Sequence, residues 1–195
     1  MKQKIGCVVL ASGDAKRFGE NKLNRKLFGK SLIDHALQCI PKEKFSCVCV
    51  VTQYDEILKK ANDCGFTGVK NKHPDYGISH SIELGLKETD FCDGVMFMVS
   101  DQPLLKKQSV EGLVDCFLEN EDFIVSLSYD GVRGNPCIFP SSFYQMLYAL
   151  SEDNGGSTII RNHEDKVKFF EACQSDELSD IDTKNDLQRL EKTEV

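Results

Sequence analysis

No apolar run in this chain approaches the roughly 18 residues that a membrane span needs, and none of its nine cysteines sits in a C-x-x-C pair. The first absence argues against a membrane-spanning protein. The second, with an odd cysteine count, argues against a disulfide framework and points to reduced thiols in a cytoplasm. A cleaved leader is not expected, because the apolar segment behind Lys2 and Lys4 is at the short limit and runs into a charged loop. Zinc-type ligand spacing is missing too: His35, His73, His80 and His163 are scattered, so no structural metal is expected. Positive charge is in short supply. A formal net charge of −7 argues against nucleic-acid binding by bulk electrostatics. There are no repeats, low-complexity tracts or linkers, and 195 residues suit one compact domain over 1–195.

What the chain does have is a dense local run of small and basic residues. The uncharged stretch Ile5-Gly6-Cys7-Val8-Val9-Leu10 reads as a buried parallel strand. Ala11, Ser12 and Gly13 follow at once, then Lys16, Arg17, Gly19 and Lys22. Small residues let backbone N–H groups approach an anion, and nearby cations add charge-assisted bonds to phosphate oxygens. Such a loop belongs at the carboxyl end of its strand, where open α/β sheets bind ligands. Two familiar phosphate motifs do not fit. The P-loop pattern fails because five residues separate Gly13 from Gly19 and Lys22 lies beyond, and G-x-G-x-x-G is absent.

Further along, apolar runs alternate with helical periodicity. Strands are expected at Phe45–Thr52, Phe66–Lys70, Gly94–Ser100, Phe123–Ser128 and Gly134–Phe139. Helices are expected after the Ser31 cap, at Asp55–Cys64, from Ser79 to about Glu88, from about Lys106 to Leu118, and through Tyr144–Leu150. This alternation implies βαβ units and a largely parallel sheet covered on both faces.

Two acidic positions stand out. Asp101 follows a continuously apolar strand, and Pro103 forces the chain to turn there, which leaves Asp101 at the carboxyl edge of the sheet. It is either a Mg²⁺ ligand opposite a phosphate loop or a helix cap, and the local sequence alone does not separate the two. In Asp180-Ile181-Asp182-Thr183, alternation places both carboxylates opposite Ile181, and Thr183 opens a last helix whose first turn Asp186 serves. Ser79 and Ser81 read locally as helix-cap candidates, and His80 as a surface residue.

Taken together these stretches resemble the MobA-like nucleotidyltransferases. Leu10–Lys22 resembles their L-A-x-G-x-x-x-R-[MF]-G-x-x-K, Asp101-Gln102-Pro103-Leu104 their D-Q-P-L, and Asp180–Leu187 their D-I-D-T-x-x-D-L. Gly77–Leu86 resembles G-x-x-x-S-x-x-x-G-L, and Gly134-Asn135-Pro136 resembles a G-[HN]-P turn. The resemblance is strongest to the molybdenum cofactor cytidylyltransferases, and it implies an α/β, three-layer Rossmann-like fold with a mostly parallel (mixed) central sheet. It further implies CTP and the molybdenum cofactor as substrates, pyrophosphate as product, Mg²⁺ or Mn²⁺ as cofactor, and a molybdenum hydroxylase as candidate client. Arg17, Lys22 and Asp101 become the catalytic candidates. Leu10, Ala11, Ser12, Gly13, Arg17, Lys22, Ser81 and Asp101 become the nucleotide site, Asp101 and Asp182 the metal ligands, and Gly134, Asn135 and Pro136 the acceptor side. A phosphate nucleophile is already ionised near neutral pH, so no general base is required. Ser12 (where guanylyl relatives usually have glycine), Asn21-Lys22 and Asp101-Gln102-Pro103 favour CTP over GTP. One position departs from the pattern: Ser157 stands where relatives often carry the arginine of G-D-x-G-[AG]-R. Rival functions are a guanylyltransferase or sugar- or polyol-phosphate cytidylyltransferase of the same fold, and a non-catalytic chaperone for the cofactor.

Overall fold

The computed structural model describes residues 3–13 and 21–191. Its elements in chain order begin with β1 (Ile5–Ala11), a small hairpin of β2 (Lys26–Leu27) and β3 (Lys30–Ser31), and α1 (Leu32–Gln38). Then come β4 (Cys47–Thr52), α2 (Asp55–Asp63), β5 (Thr67–Lys70), α3 (Ile78–Lys87), β6 (Gly94–Val99) and α4 (Lys107–Glu119). The second half has β7 (Ile124–Tyr129), β8 (Val132–Pro140), α5 (Tyr144–Tyr148), α6 (Gly156–Asn162), β9 (Val167–Glu171) and α7 (Lys184–Glu191).

Seven strands form one sheet in the order β5-β4-β1-β6-β8-β7-β9. Only β8 runs against the rest, pairing antiparallel with both β6 and β7. The mostly parallel, mixed sheet expected from the sequence is therefore present. Period-two alternation sorts the strand residues between two apolar layers. Cys7, Val9, Val50, Met96 and Met98 join Ile33, Ile57 and Leu113 on one face. Val8, Cys49, Val51, Val95 and Phe97 join Ile82, Leu86 and Leu147 on the other. Every strand side chain in these sets is at most 5 % exposed, so the central strands are apolar on both faces and show no polar stripe. On the second face α3 lies close to β1, since a Cβ at Gly85 would collide with Val8.

Four sequence expectations need correction. Strands and helices do not alternate throughout: β7 and β8 form a direct hairpin. Its two-residue turn, Asp130-Gly131, has φ +48° and +74°, as a primed turn requires. Gly134-Asn135-Pro136 is no turn but part of β8. There the pairing shifts, so that two steps along β7 (Ser126 to Ser128) correspond to four along β8 (Cys137 to Arg133), the mark of a bulge. Neither Ser79 nor Ser81 caps α3; the N-cap is Gly77, with no side-chain cap bond, and both serines are buried. Finally, α6, β9 and the small hairpin were not anticipated. β9 is a partly exposed edge strand whose alternation is too short to stand out.

Candidate active site

The carboxyl ends of β1 and β6 open into a cleft of about 500 Å³. Leu10, Ser12 and Gly13 form one wall, Val99, Ser100 and Asp101 another, and Gly77, Ile78 and Ser81 a third. The Ser100 hydroxyl donates to the Leu10 carbonyl (2.9 Å) and so ties the two strand ends together. Two residues that sequence reasoning did not select hold the start of the loop. Gln53 Nε2 donates to the Ser12 carbonyl (2.9 Å), and the Tyr54 hydroxyl to that of Gly13 (3.3 Å). Ser12 itself is 7 % exposed, and its hydroxyl has no hydrogen-bond partner among the described residues.

Lys22 lies at the floor. Its Nζ donates to Asp101 Oδ2 (2.8 Å), the Ile181 carbonyl (2.9 Å) and Asp182 Oδ1 (3.1 Å). Burial on its own would lower the Lys22 pKa, but Asp101 and then Asp182 outweigh it and the net direction is up. The ammonium stays charged. Asp182 reaches this point because the final segment is clipped to the end of β6. Ile181 N–H donates to the Asp101 carbonyl (2.9 Å), and the Ile181 side chain is buried with Leu27, Leu32 and Leu190. Its neighbours Asp180 and Asp182 are left exposed, as the alternation required.

Gln102 completes the clip. It is buried, and its Nε2 donates to Asp180 Oδ1 (2.9 Å). Partial burial, then the Asp101 charge, raise the Asp180 pKa. Asp186 accepts from Thr183 N–H (2.8 Å) and Asp182 N–H (3.2 Å) at the start of α7. On the third wall Asn71, absent from the sequence candidates, donates to Ser81 Oγ (3.1 Å) and accepts from His73 N–H (2.8 Å). The 151–157 loop packs against the same wall: Ser79 N–H donates to the Glu152 carbonyl (3.1 Å). Any Cβ on Gly77 (φ +82°) would strike that carbonyl. His80 faces Glu83 (3.3 Å) rather than the cleft.

The structure thus brings together Leu10, Ser12, Gly13, Lys22, Ser81, Asp101 and Asp182. Ala11 belongs to the core, with its side chain buried, and only its carbonyl is used, accepting from Thr52. Gly134 and Asn135 line a separate recess beside Ser157, and Pro136 is not part of its lining. Arg17 and Lys16 lie outside the described residues.

The donor set suits a hard cation. Two carboxylates and a backbone carbonyl already converge on one ammonium, all through oxygen. Among the described residues no group of three or more His, Cys, Asp or Glu is arranged to hold a metal, so further ligands would have to come from substrate oxygens and water. No helix among the described residues is long and apolar enough to cross a membrane.

Comparisons with known proteins bear on the family and the fold. The family model described as "MobA-like NTP transferase domain" matches residues 7–167. The chain is 26 % identical over 193 residues to the purine catabolism protein PucB of Bacillus subtilis, covering 90 % of each. It is 31 % identical over 120 residues to a probable molybdenum cofactor guanylyltransferase of Thermococcus sibiricus, covering 60 % of this chain and 58 % of the relative. A solved Mycobacterium tuberculosis structure, Rv0371c in complex with manganese, superposes with a TM-score of 0.76 at 19 % identity over 97 % of this chain and 99 % of that one.

Proposed function

This chain belongs to the MobA-like NTP transferase family and is a nucleotidyltransferase, and we propose that it transfers CMP from CTP to the phosphate of molybdopterin with release of pyrophosphate. The observation that carries the reading is the convergence of Asp101 and Asp182 on Lys22 at the floor of a nucleotide-sized cleft. Distant parts of the chain meet there without a His or Cys nucleophile. That suits a reaction whose attacking group arrives ionised and whose barrier falls by alignment and charge neutralisation.

In this reading Asp101 and Asp182 hold Mg²⁺ or Mn²⁺, which supplies positive charge beside the reacting phosphates. The manganese-bound neighbour supports a divalent ion in this fold. Lys22 leaves the carboxylates for the phosphates when the cleft fills, and Arg17 is assigned to the same phosphates by the motif. Ser12 and Gly13 bring the backbone close to the triphosphate, while Leu10 and Ser81 border the nucleoside. Gly134 to Pro136 lie toward the acceptor, and the single-domain organisation and a molybdenum hydroxylase client stand as proposals with them.

CTP is preferred because the Ser12 side chain takes up space in the cleft wall that glycine would leave for a purine. A second reading, GTP as donor, is favoured by the relative named as a guanylyltransferase. Incubating the protein with Mg²⁺, molybdopterin and each nucleoside triphosphate in turn, and assaying pyrophosphate, tests the proposal. CTP-dependent release is expected. Release with GTP in preference overturns the base assignment, and none with any triphosphate overturns the reaction.

A further inference from the structure

A second recess, of about 110 Å³, is lined by Arg133, Gly134, Asn135, Cys137, Ser157 and Ile160. None of these six residues is acidic. The Arg133 side chain makes no hydrogen bond or ion pair among the described residues, so no carboxylate among them is paired with its charge. That charge is felt inside the recess: burial pushes the Cys137 thiol up to about 12, and Arg133 acts on it in the opposite direction.

The bulge in β8 is what makes the space. Between Arg133 and Cys137 the chain has two more residues than the facing stretch of β7. Bulges of this kind re-aim side chains beside functional sites. The Ser126 hydroxyl donates to the Gly134 carbonyl (3.0 Å) and holds the bulge in place. The donors lining the recess are a guanidinium fork, one carboxamide and one hydroxyl, a set that suits a tetrahedral oxyanion. β8 is the direct neighbour of β6 and runs against it, so the start of β8, which lines the recess, lies toward the same end of the sheet as Asp101.

We propose that this recess binds a phosphate-type dianion on Arg133, with Asn135 and Ser157 as neutral donors, and that in turnover the dianion is the phosphate monoester of the acceptor. The guanidinium is thus supplied by β8 rather than by position 157 at the start of α6. In the reaction an acceptor phosphate oxygen forms the new bond to the α-phosphorus of the nucleotide. The α–β bridging bond breaks, pyrophosphate leaves with the electron pair, and no proton transfer is needed. The acceptor role rests on the nucleotidyl-transfer reading, whereas affinity for phosphate does not.

The test is an NMR titration of the full chain with inorganic phosphate, its cleft first filled with Mg²⁺ and a non-hydrolysable α,β-methylene analogue of CTP. The Arg133 Nε–Hε signal, identified by its loss in Arg133→Lys, and the Asn135 side-chain amide are followed. Both should shift saturably, and Arg133→Ala should raise the half-saturation concentration read at Asn135 about tenfold or more. Affinity for the nucleotide analogue should stay within about twofold of wild type. An unmoved Arg133 signal, or equal half-saturation in Arg133→Ala, overturns the proposal, and acetate acting as strongly as phosphate overturns the assignment to phosphate. If Arg133→Ala does not fold, the wild-type Arg133 signal decides alone. Failure of the nucleotidyl-transfer reading shows separately, as Gly13 and Ser81 signals that ignore the nucleotide analogue.

Discussion

Lys22 Nζ lies 2.8 Å from Asp101 Oδ2, although the two residues are 79 positions apart in the chain. The ammonium is shared with Asp182 at 3.1 Å, so it stands where the family resemblance implies a divalent ion. A protein that holds its own cation between two carboxylates does not leave them as uncompensated charges in a partly buried site. The same pair sets up a competition: a metal ion entering between Asp101 and Asp182 has to displace Lys22.

Replacing Lys22 by Met therefore has two opposite effects. Mn²⁺ should bind the nucleotide-free protein more tightly, by about fivefold, because a part-buried ion pair of roughly 1 kcal/mol no longer competes. Transfer should fall on the order of 10²-fold, the size of one lost preorganised charge. Mn²⁺ titration followed by electron paramagnetic resonance measures the first effect. Weaker Mn²⁺ binding in the variant would mean that Lys22 supports the metal site instead of filling it.

Ser12→Gly should move the enzyme toward purines. Its buried hydroxyl has no partner to lose among the described residues, so its removal should leave the fold intact while opening the cleft wall. The CTP-to-GTP ratio of kcat/KM should drop by about tenfold, within the 1–3 kcal/mol that a small steric change is worth. An unchanged ratio would place base selection elsewhere.

Gly77→Ala should cost stability as well as nucleotide affinity. The backbone at φ +82°, ψ −176° is a conformation almost confined to glycine, and forcing an L residue into it costs on the order of 1–3 kcal/mol. The new methyl group also meets the Glu152 carbonyl. Urea denaturation should show a loss of about 2 kcal/mol. A change below about 0.5 kcal/mol, the ordinary range for an unconstrained surface site, would mean that the 151–157 loop does not press on Gly77.

Asp34 supplies a pH-dependent contribution. Burial would raise its pKa, but hydrogen bonds from Lys60 and Ser31 and the Lys60 charge outweigh it, and the folded value lies below the ordinary aspartate value of 3.8. A carboxylate depressed on folding stabilises above its unfolded pKa, and that stability is lost as the pH falls through the folded value. Asp34→Ala should therefore cost about 1 kcal/mol at pH 7, the size of a lost cap. The gap to wild type should close as the pH falls below 3.8. A gap that persists there would assign the effect to packing alone.

The strands carrying the site could be read directly, since Ile5–Leu10 and Gly94–Val99 are apolar without interruption, and only a strand buried on both faces tolerates that. Lys22, Asp101 and Asp182 were chosen by motif and do meet, but their mutual contacts were not legible, because register between segments so far apart is set by tertiary packing. Gln53, Asn71 and Gln102 were missed for a related reason. Each orients another group through a side-chain bond to a distant segment, and nothing in the local sequence marks such a bond. The Asp130-Gly131 hairpin is different: its dipeptide was a visible turn signal between apolar runs. The βαβ alternation read elsewhere in the chain leaves no place for such a hairpin, although a mostly parallel, mixed sheet accommodates one.

The central claim is tested most directly by following the α-phosphorus of CTP. With Mg²⁺, molybdopterin and α-labelled CTP, wild-type protein should place the label on the acceptor and release unlabelled pyrophosphate in equal amount. Asp101→Asn and Asp182→Asn should each lower that transfer about 10²-fold or more while keeping wild-type circular dichroism and melting temperature. Near-normal transfer in either variant, or label appearing only in free nucleotide or phosphate, would contradict the account.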